Sequence, residues 1–298
     1  MSTATAPSTA TRSGDGPDRR RRLRPTRLAG KGLLVALALL WLAIAGGPLA
    51  FLVLTSFKGQ FELLTEALWA WPQDPTLENF RLVLENDFFV FLRNSTVVVS
   101  ISVVLVLLVS AMASYVFARI PFKLRTPLFA LVVAGLIVPI HVTLIPIFLL
   151  TRDLGIYDSI WALIGPYVAF NVPVSVLILT GFMQAIPGEL EEAARVDGAG
   201  PVRRFWSVVL PLTRPGMITV AIYNGVVLWN EFVFAFVLTT SRANRTLPLA
   251  IWDFQGQYGN NVPVVMSVLT LTALPLVIAY LLGQERITRG IMAGALKG

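Results

Sequence analysis

Five charged residues, Glu189, Glu191, Glu192, Arg195 and Asp197, crowd a short stretch of a chain that is otherwise mostly apolar. Acids and bases at that density suit a docking surface for a partner. They do not compose a catalytic set. The chain has no cysteine, which removes disulfides, thiolate metal sites and a cysteine nucleophile. Its one histidine, His141, stands between Pro139 and Pro146 without carboxylates clustered near it, which argues against a metal site and for a packed or cavity-lining side chain. No G-x-x-x-x-G-K-S/T run exists: Ala29-Gly30-Lys31-Gly32 lacks both the spacing and the hydroxyl residue, so the chain is not expected to hydrolyse ATP. Glu231 falls inside an apolar run, where a carboxylate costs about 2.5 to 3.5 kcal/mol on insertion scales. Structural pairing or gating and the lining of a solute route both fit it. Tyr223, Asn224, Trp229 and Asn230 beside it supply the aromatic and amide groups that suit a polyhydroxylated ligand.

The elements that must position these residues follow from hydropathy. The 298 residues are 55% hydrophobic and 14% charged, with mean hydropathy +0.72. That is too apolar for a soluble domain and marks an integral membrane protein. A bilayer core of ~30 Å takes about 20 apolar helical residues. Six runs qualify, approximately 33–56, 95–118, 127–150, 159–183, 216–239 and 262–282. Backbone groups in lipid must be satisfied within the segment, and a barrel would show shorter alternating strands. The expected fold class is therefore all-α with six transmembrane helices. The first run contains Ala43-Ile44-Ala45 after a basic stretch, as a cleaved signal would, but it stays apolar through Leu54 and reads as an uncleaved helix. No internal repeat is visible.

The net charge of +7 raises nucleic acid or anionic lipid as partners. Position favours a topological signal instead. Eight of the basic residues lie in a Ser/Thr/Ala/Gly/Pro-rich tail, residues 1–31, predicted to be disordered. With that tail inside, 18 of the 24 basic residues are cytoplasmic, so both termini are expected in the cytoplasm and no nucleic acid is expected as a partner. Residues 32–298 then form one membrane domain. The first outer loop, 57–94, is acid-rich, with Asn79-Phe80 assigned to a short external helix. The last, 240–261, carries Trp252, Phe254 and Tyr258, which would suit an interfacial aromatic belt.

The charged stretch lies between the fourth and fifth runs. Pro187 is expected in the first turn of a short helix, with Glu189, Glu191 and Glu192 at its positive end. Glu191 and Arg195 are four apart in the favourable order, and Leu190, Ala193 and Ala194 give a small apolar face. Gly198 should end this helix in a left-handed cap. Pro201 should open a second helix with Phe205, Val208 and Val209 on one face, which Pro211 and Pro215 terminate. The product is a helix-turn-helix projection outside the bilayer.

This projection resembles the EAA loop of permease subunits in bacterial ATP-binding-cassette importers: E-A-A, three residues, G, nine residues, then I-x-L-P. Glu192, Ala193, Ala194, Gly198, Leu210 and Pro211 fall in register, and only Val208 replaces the Ile. Pro139, Leu144-Ile145-Pro146, Leu154-Gly155, Ile186-Pro187, Trp229-Asn230-Glu231-Phe232 and the tail 289–298 extend the resemblance, over about residues 30–298, to carbohydrate-uptake permeases of the maltose-transporter second-subunit type.

The resemblance implies a type I importer permease fold and a coupling loop at 187–215. In it Glu192, Ala193, Ala194, Asp197, Gly198 and Ala199 would form the turn that docks in a cytoplasmic ATPase subunit, supported by Phe205, Leu210, Pro211 and Pro215. It also implies the partners: an ATPase dimer that holds ATP and Mg, a sister permease in a heterodimer, an external solute-binding protein reached through the 240–261 loop, and the lipid bilayer of the cell membrane. This chain itself would bind no cofactor. The tail ending at Gly298 would run between or along the ATPase subunits. A sugar or oligosaccharide is the implied cargo, with amino acids, peptides or glycerol phosphate as alternatives. An ion-driven secondary transporter is the rival class, but it would show paired intramembrane carboxylates where only Glu231 is present.

Overall fold

The computed structural model describes residues 25–259 and 261–295, with side chains over 31–259 and 261–281. Every regular element among them is helical. In chain order these are α1 (Pro25–Ser56), α2 (Gln60–Thr65), α3 (Glu78–Glu85), α4 (Phe88–Arg119), α5 (Arg125–Ala134), α6 (Ile140–Asp153) and α7 (Trp161–Gln184). Then follow α8 (Glu189–Val196), α9 (Pro201–Arg204), α10 (Leu210–Leu212), α11 (Arg214–Trp229), α12 (Val233–Leu238), α13 (Leu247–Tyr258) and α14 (Val262–Ala295). Most of the predicted tail, residues 1–24, lies outside the described residues, as do the side chains of the 289–298 segment. Among the described residues, 25–50 fall in one compact unit and those from 51 onward in the other.

Four segments are single helices long and apolar enough to cross a membrane: Lys31–Ser56, Phe88–Arg119, Trp161–Gln184 and Val262–Leu281. Two bent helix pairs bring the possible number to six. The third predicted run, 127–150, is not one helix. α5 ends in a tight turn at Gly135–Ile137, and α6 leaves it at 94°. Pro139 explains the break, because its ring forces Val138 into extended backbone (ψ 114°). The fifth run, 216–239, is also divided, into α11 and α12, at residues 230–232.

The framework is the α4–α7 pair. Along α4 a stripe of Asn94, Val98, Ser102, Val106, Ser110 and Ser114 is buried at four-residue spacing. These small side chains let two helix backbones approach closely, which is how helices associate when lipid offers no hydrophobic incentive. Ser114 Oγ donates to the Val176 carbonyl at 3.1 Å and Ser110 Oγ to that of Val172 at 3.5 Å. Three apolar clusters lie along the framework. Phe88, Phe91, Phe254 and Val268 mark one end, Val98, Tyr167, Leu228 and Phe234 the middle, and Tyr115, Leu179, Met183 and Phe205 the other end.

Asn79 and Phe80 fall in α3, as expected. Lys58, between α1 and α2, is fully buried. Its Nζ donates to the Ala67 and Leu68 carbonyls, and Asn79 Nδ2 donates to the carbonyls of Ser56 and Lys58.

Candidate functional site

The charged projection occupies the end of the framework marked by Arg119. α8 starts at Glu189 with Gly188 as its N-cap, so Pro187 lies just outside the helix rather than in its first turn. The far end closes as a Schellman cap. Gly198 N–H donates to the Arg195 carbonyl at 3.0 Å and Ala199 N–H to that of Ala194 at 2.9 Å. Gly198 has φ +80°, a left-handed backbone that a Cβ disfavours. Glu192, Ala193, Asp197 and Gly198 are exposed, Ala194 and Ala199 are half-buried, and Val196 is 89% exposed. The turn thus presents apolar, small and acidic groups outward together.

Its base is anchored by a contact the sequence reading missed. Glu191, assigned there to Arg195, turns inward instead. It is buried, with its Oε1 2.9 Å from Arg119 Nε at the end of α4. Arg119 Nη2 meanwhile donates to the Met183 and Ile186 carbonyls at 2.6 Å each, so one guanidinium ties α4, the end of α7 and α8 together. Both carbonyls lie at or just past the C-terminal end of α7, where peptide dipoles leave partial negative charge and a cation is suited to them. An arginine after an apolar run was the only available signal, and nothing local linked it to Glu191.

The second arm is bent as well. Tyr115 Oη donates to the Pro201 carbonyl at 3.3 Å and its ring packs 5.1 Å from that of Phe205, which is buried with Val209. Val208 and Leu210 are half-buried, and Pro211 and Pro215 are exposed. Pro211 does not terminate the arm: the helix passes through it, preceded by a wider π-turn over Phe205–Val209 in which Leu210 N–H reaches back to the Phe205 carbonyl. A proline ring collides with the carbonyl four residues earlier, here Ser207, and a widened turn relieves that collision. The chain then turns by 73° at Thr213 into α11. Gly216 permits this turn, since a Cβ there would stand 2.7 Å from the Phe182 ring.

The intramembrane candidates are not brought together in one pocket. Asn224 is fully buried, and its Nδ2 donates to Ser175 Oγ at 2.9 Å and to the Val220 carbonyl at 2.9 Å. Ser175 donates to the Asn171 carbonyl and Asn171 Nδ2 to that of Tyr167, each at 2.7 Å. The bond between α7 and α11 is therefore made by Ser175, while Asn171 bonds within α7. Glu231 accepts from Tyr167 Oη at 2.5 Å, from Phe234 N–H at 2.8 Å and from Ala235 N–H at 3.3 Å. Those two amides would bond to carbonyls four residues back in a continuous helix. The carboxylate takes them instead, which caps α12 and accounts for the break in the fifth run. Tyr223 and Asn230 are exposed, and Trp229 Nε1 donates to the Thr272 carbonyl at 3.4 Å. His141, expected to be packed or cavity-lining, is exposed in the first turn of α6 beside the 94° break, so it is not packed within this chain.

At the opposite end Asp158 makes a clasp with no sequence signal. It sits at φ +54°, and its Oδ1 accepts from the Thr240 and Ser241 amides at 2.7 and 2.9 Å. Tyr157 Oη and Thr240 Oγ1 are 2.7 Å apart. Burial alone would push the Asp158 carboxyl up. The Thr240 and Ser241 amides, with side-chain donors from Ser241 and Asn244, outweigh it and hold the group below the ordinary value.

Comparison with known proteins accords with this geometry. Residues 107–293 match the family model described as binding-protein-dependent transport system inner membrane component. A putative ABC transporter permease protein, ORF2, of Caldicellulosiruptor sp. is 54% identical over 258 residues, 87% of this chain and 94% of that protein. The trehalose/maltose transport system permease protein MalG of Thermococcus litoralis is 34% identical, covering 89% of this chain and 96% of its own. A solved bacterial ABC transporter involved in alginate import has a chain of the same fold, with a TM-score of 0.74 at 22% identity over 88% of this chain and 97% of that one. An ion-driven transporter is set aside by these matches, and the chain belongs to the family of binding-protein-dependent inner membrane components, as a transport permease subunit of an ABC importer and not an enzyme.

Proposed function

We propose that this chain carries a sugar or oligosaccharide across the cell membrane and takes its energy from a separate ATPase dimer docked on the 187–215 projection. The observation that carries the reading is the exposed turn around Glu192 and Gly198, set on a buried Arg119–Glu191 anchor. Outward groups on a fixed base are what a force-transmitting contact needs: the turn meets the partner, and the anchor passes its displacement to α4 and α7. The basic-residue asymmetry supports placing this end and both termini in the cytoplasm. ATP and Mg then belong to the ATPase, and this chain holds neither. A sister permease completes the pathway, and an external binding protein delivers solute at the Asp158 end. Alternation between inward-open and outward-open states requires only that ATP and the loaded binding protein favour different states.

The trehalose/maltose name of a relative with 34% identity supports a saccharide cargo. In this reading Tyr223, Asn224, Trp229, Asn230 and Glu231 flank the route, with Glu231 holding the α11–α12 break open and Asn230 exposed beside it. The test is calorimetry of the partner binding protein against neutral di- and trisaccharides and glycerol phosphate, followed by ATP-dependent uptake of the tightest ligand in proteoliposomes. Saccharide binding with matching uptake is expected. Uptake of glycerol phosphate alone would contradict the cargo.

A further inference from the structure

Beyond the Glu231 break, α12 buries Phe234, Ala235 and Leu238 and turns Phe232 and Phe236 the other way. Their rings stack, with centroids 5.5 Å apart and planes at 16°. Trp252 from α13 completes the group, 6.1 Å from Phe232 and 5.9 Å from Phe236. Phe236 is 54% and Trp252 is 59% exposed, while Leu249, Ala250 and Phe254 of α13 are buried. Two aromatic elements thus hold their rings together on a buried base and leave the Phe236 and Trp252 rings more than half exposed.

Their surroundings are not those of a purely lipid-facing belt. On one side of Trp252 lies a cleft of about 290 Å³, lined by Trp229, Asn230, Phe232, Pro248, Trp252 and Gln255. On the other lies a second cleft of about 300 Å³, lined by Phe236, Thr239, Thr240, Arg245, Trp252 and Asp253. Arg245 is paired with Asp253, which fixes the polar edge of the second cleft. Side-chain amides and hydroxyls therefore border apolar ring faces on both sides.

A pyranose ring has the complementary chemistry. One face carries C–H groups with partial positive charge, which an aromatic face attracts, and the rim carries hydroxyls that both donate and accept. We propose that Phe232, Phe236 and Trp252 form a stacking platform for one sugar ring of the transported saccharide, with Asn230 and Gln255 bonding its hydroxyl rim. The assignment rests on the carbohydrate reading above and adds a place of contact to it. The platform lies past the Glu231 break, on the side toward the Asp158 clasp, so a sugar would meet it before passing the polar α7–α11 seam.

The test uses the intact importer in proteoliposomes with its binding protein, and maltotriose, cellotriose, chitotriose and raffinose as probes. Trp252→Phe and Phe236→Tyr keep a ring face and should leave half-saturation for uptake within about twofold. Trp252→Leu and Phe236→Leu remove the ring face and keep an apolar side chain, and should raise half-saturation about tenfold, with stimulation of the ATPase by loaded binding protein retained as the sign of intact assembly. Sugar uptake indifferent to both leucine variants is the result expected of a patch covered by lipid or a sister subunit, and it overturns the platform alone. Failure of the unaltered importer to take up any of the four sugars overturns the carbohydrate reading and the platform with it.

Discussion

Arg119 Nε lies 2.9 Å from Glu191 Oε1, joining residues far apart in the chain at a site where both side chains are nearly buried. The same guanidinium holds two carbonyls at the end of α7, so the pair is a joint between the membrane helices and the projection. Removing one partner of a buried pair leaves an uncompensated charge and costs about 3–5 kcal/mol. Glu191→Ala should therefore lower thermal stability of the purified chain markedly, and Glu192→Ala, one residue on but exposed, should change it by no more than about 0.5 kcal/mol. Equal effects in a melting experiment would remove the joint from the account.

Gly198→Ala places a Cβ on a left-handed residue, and the strain is about 1–2 kcal/mol. Open space surrounds the position, so the cost is conformational and not steric. Gly198→Asn should recover much of it, because asparagine tolerates this region. Uptake coupled to ATP should follow the order Gly, Asn, Ala.

Glu231→Ala should unsettle the start of α12 by about 1–2 kcal/mol, through the loss of a cap on the Phe234 and Ala235 amides. Glu231→Gln retains an acceptor and should lose less. If glutamine and alanine were equally damaging to uptake while both left stability unchanged, charge rather than capping would be the contribution of this residue.

The Asp158 clasp predicts a pH dependence. Its carboxyl is held below the ordinary value in the folded chain, so the ionised form is the one that folding favours. The stabilisation is complete above the unfolded value of about 3.9 and is lost as pH falls through the lower folded value. Asp158→Asn should reduce the melting temperature near neutral pH, and the gap to the unaltered chain should close as the pH falls through the lowered folded value. A gap that stays constant on acidification would contradict the assignment.

The apolar runs and the spacing around Gly198 were legible because both are local: one depends on hydropathy along a helix, the other on a backbone conformation that a single residue type prefers. The breaks were not. Pro139 divides the third run while Pro146 stays inside α6, and Pro211 is absorbed by a π-turn, so proline alone does not separate bend from tolerated ring. Glu231 stood out as a costly acid, but its role depends on Tyr167, which approaches from another helix. Asp158 and Glu191 share that condition: each charge is satisfied by groups distant in the chain, and helical periodicity carries no record of them. Lys58 is met nearer by, by carbonyls nine and ten residues on, but in a loop that has no periodicity to read.

The most direct test of the coupling claim uses the absence of cysteine from the natural chain. A single Val196→Cys change, at a position 89% exposed on the turn, is introduced into the reconstituted importer and treated with a short bismaleimide alongside single cysteines in the ATPase subunit. The account predicts cross-linking at Val196→Cys whose yield changes between nucleotide-free and ATP-bound states, and none from an exposed cysteine at Ala243 on the opposite end. Cross-linking to the ATPase from Ala243→Cys with none from Val196→Cys would contradict it.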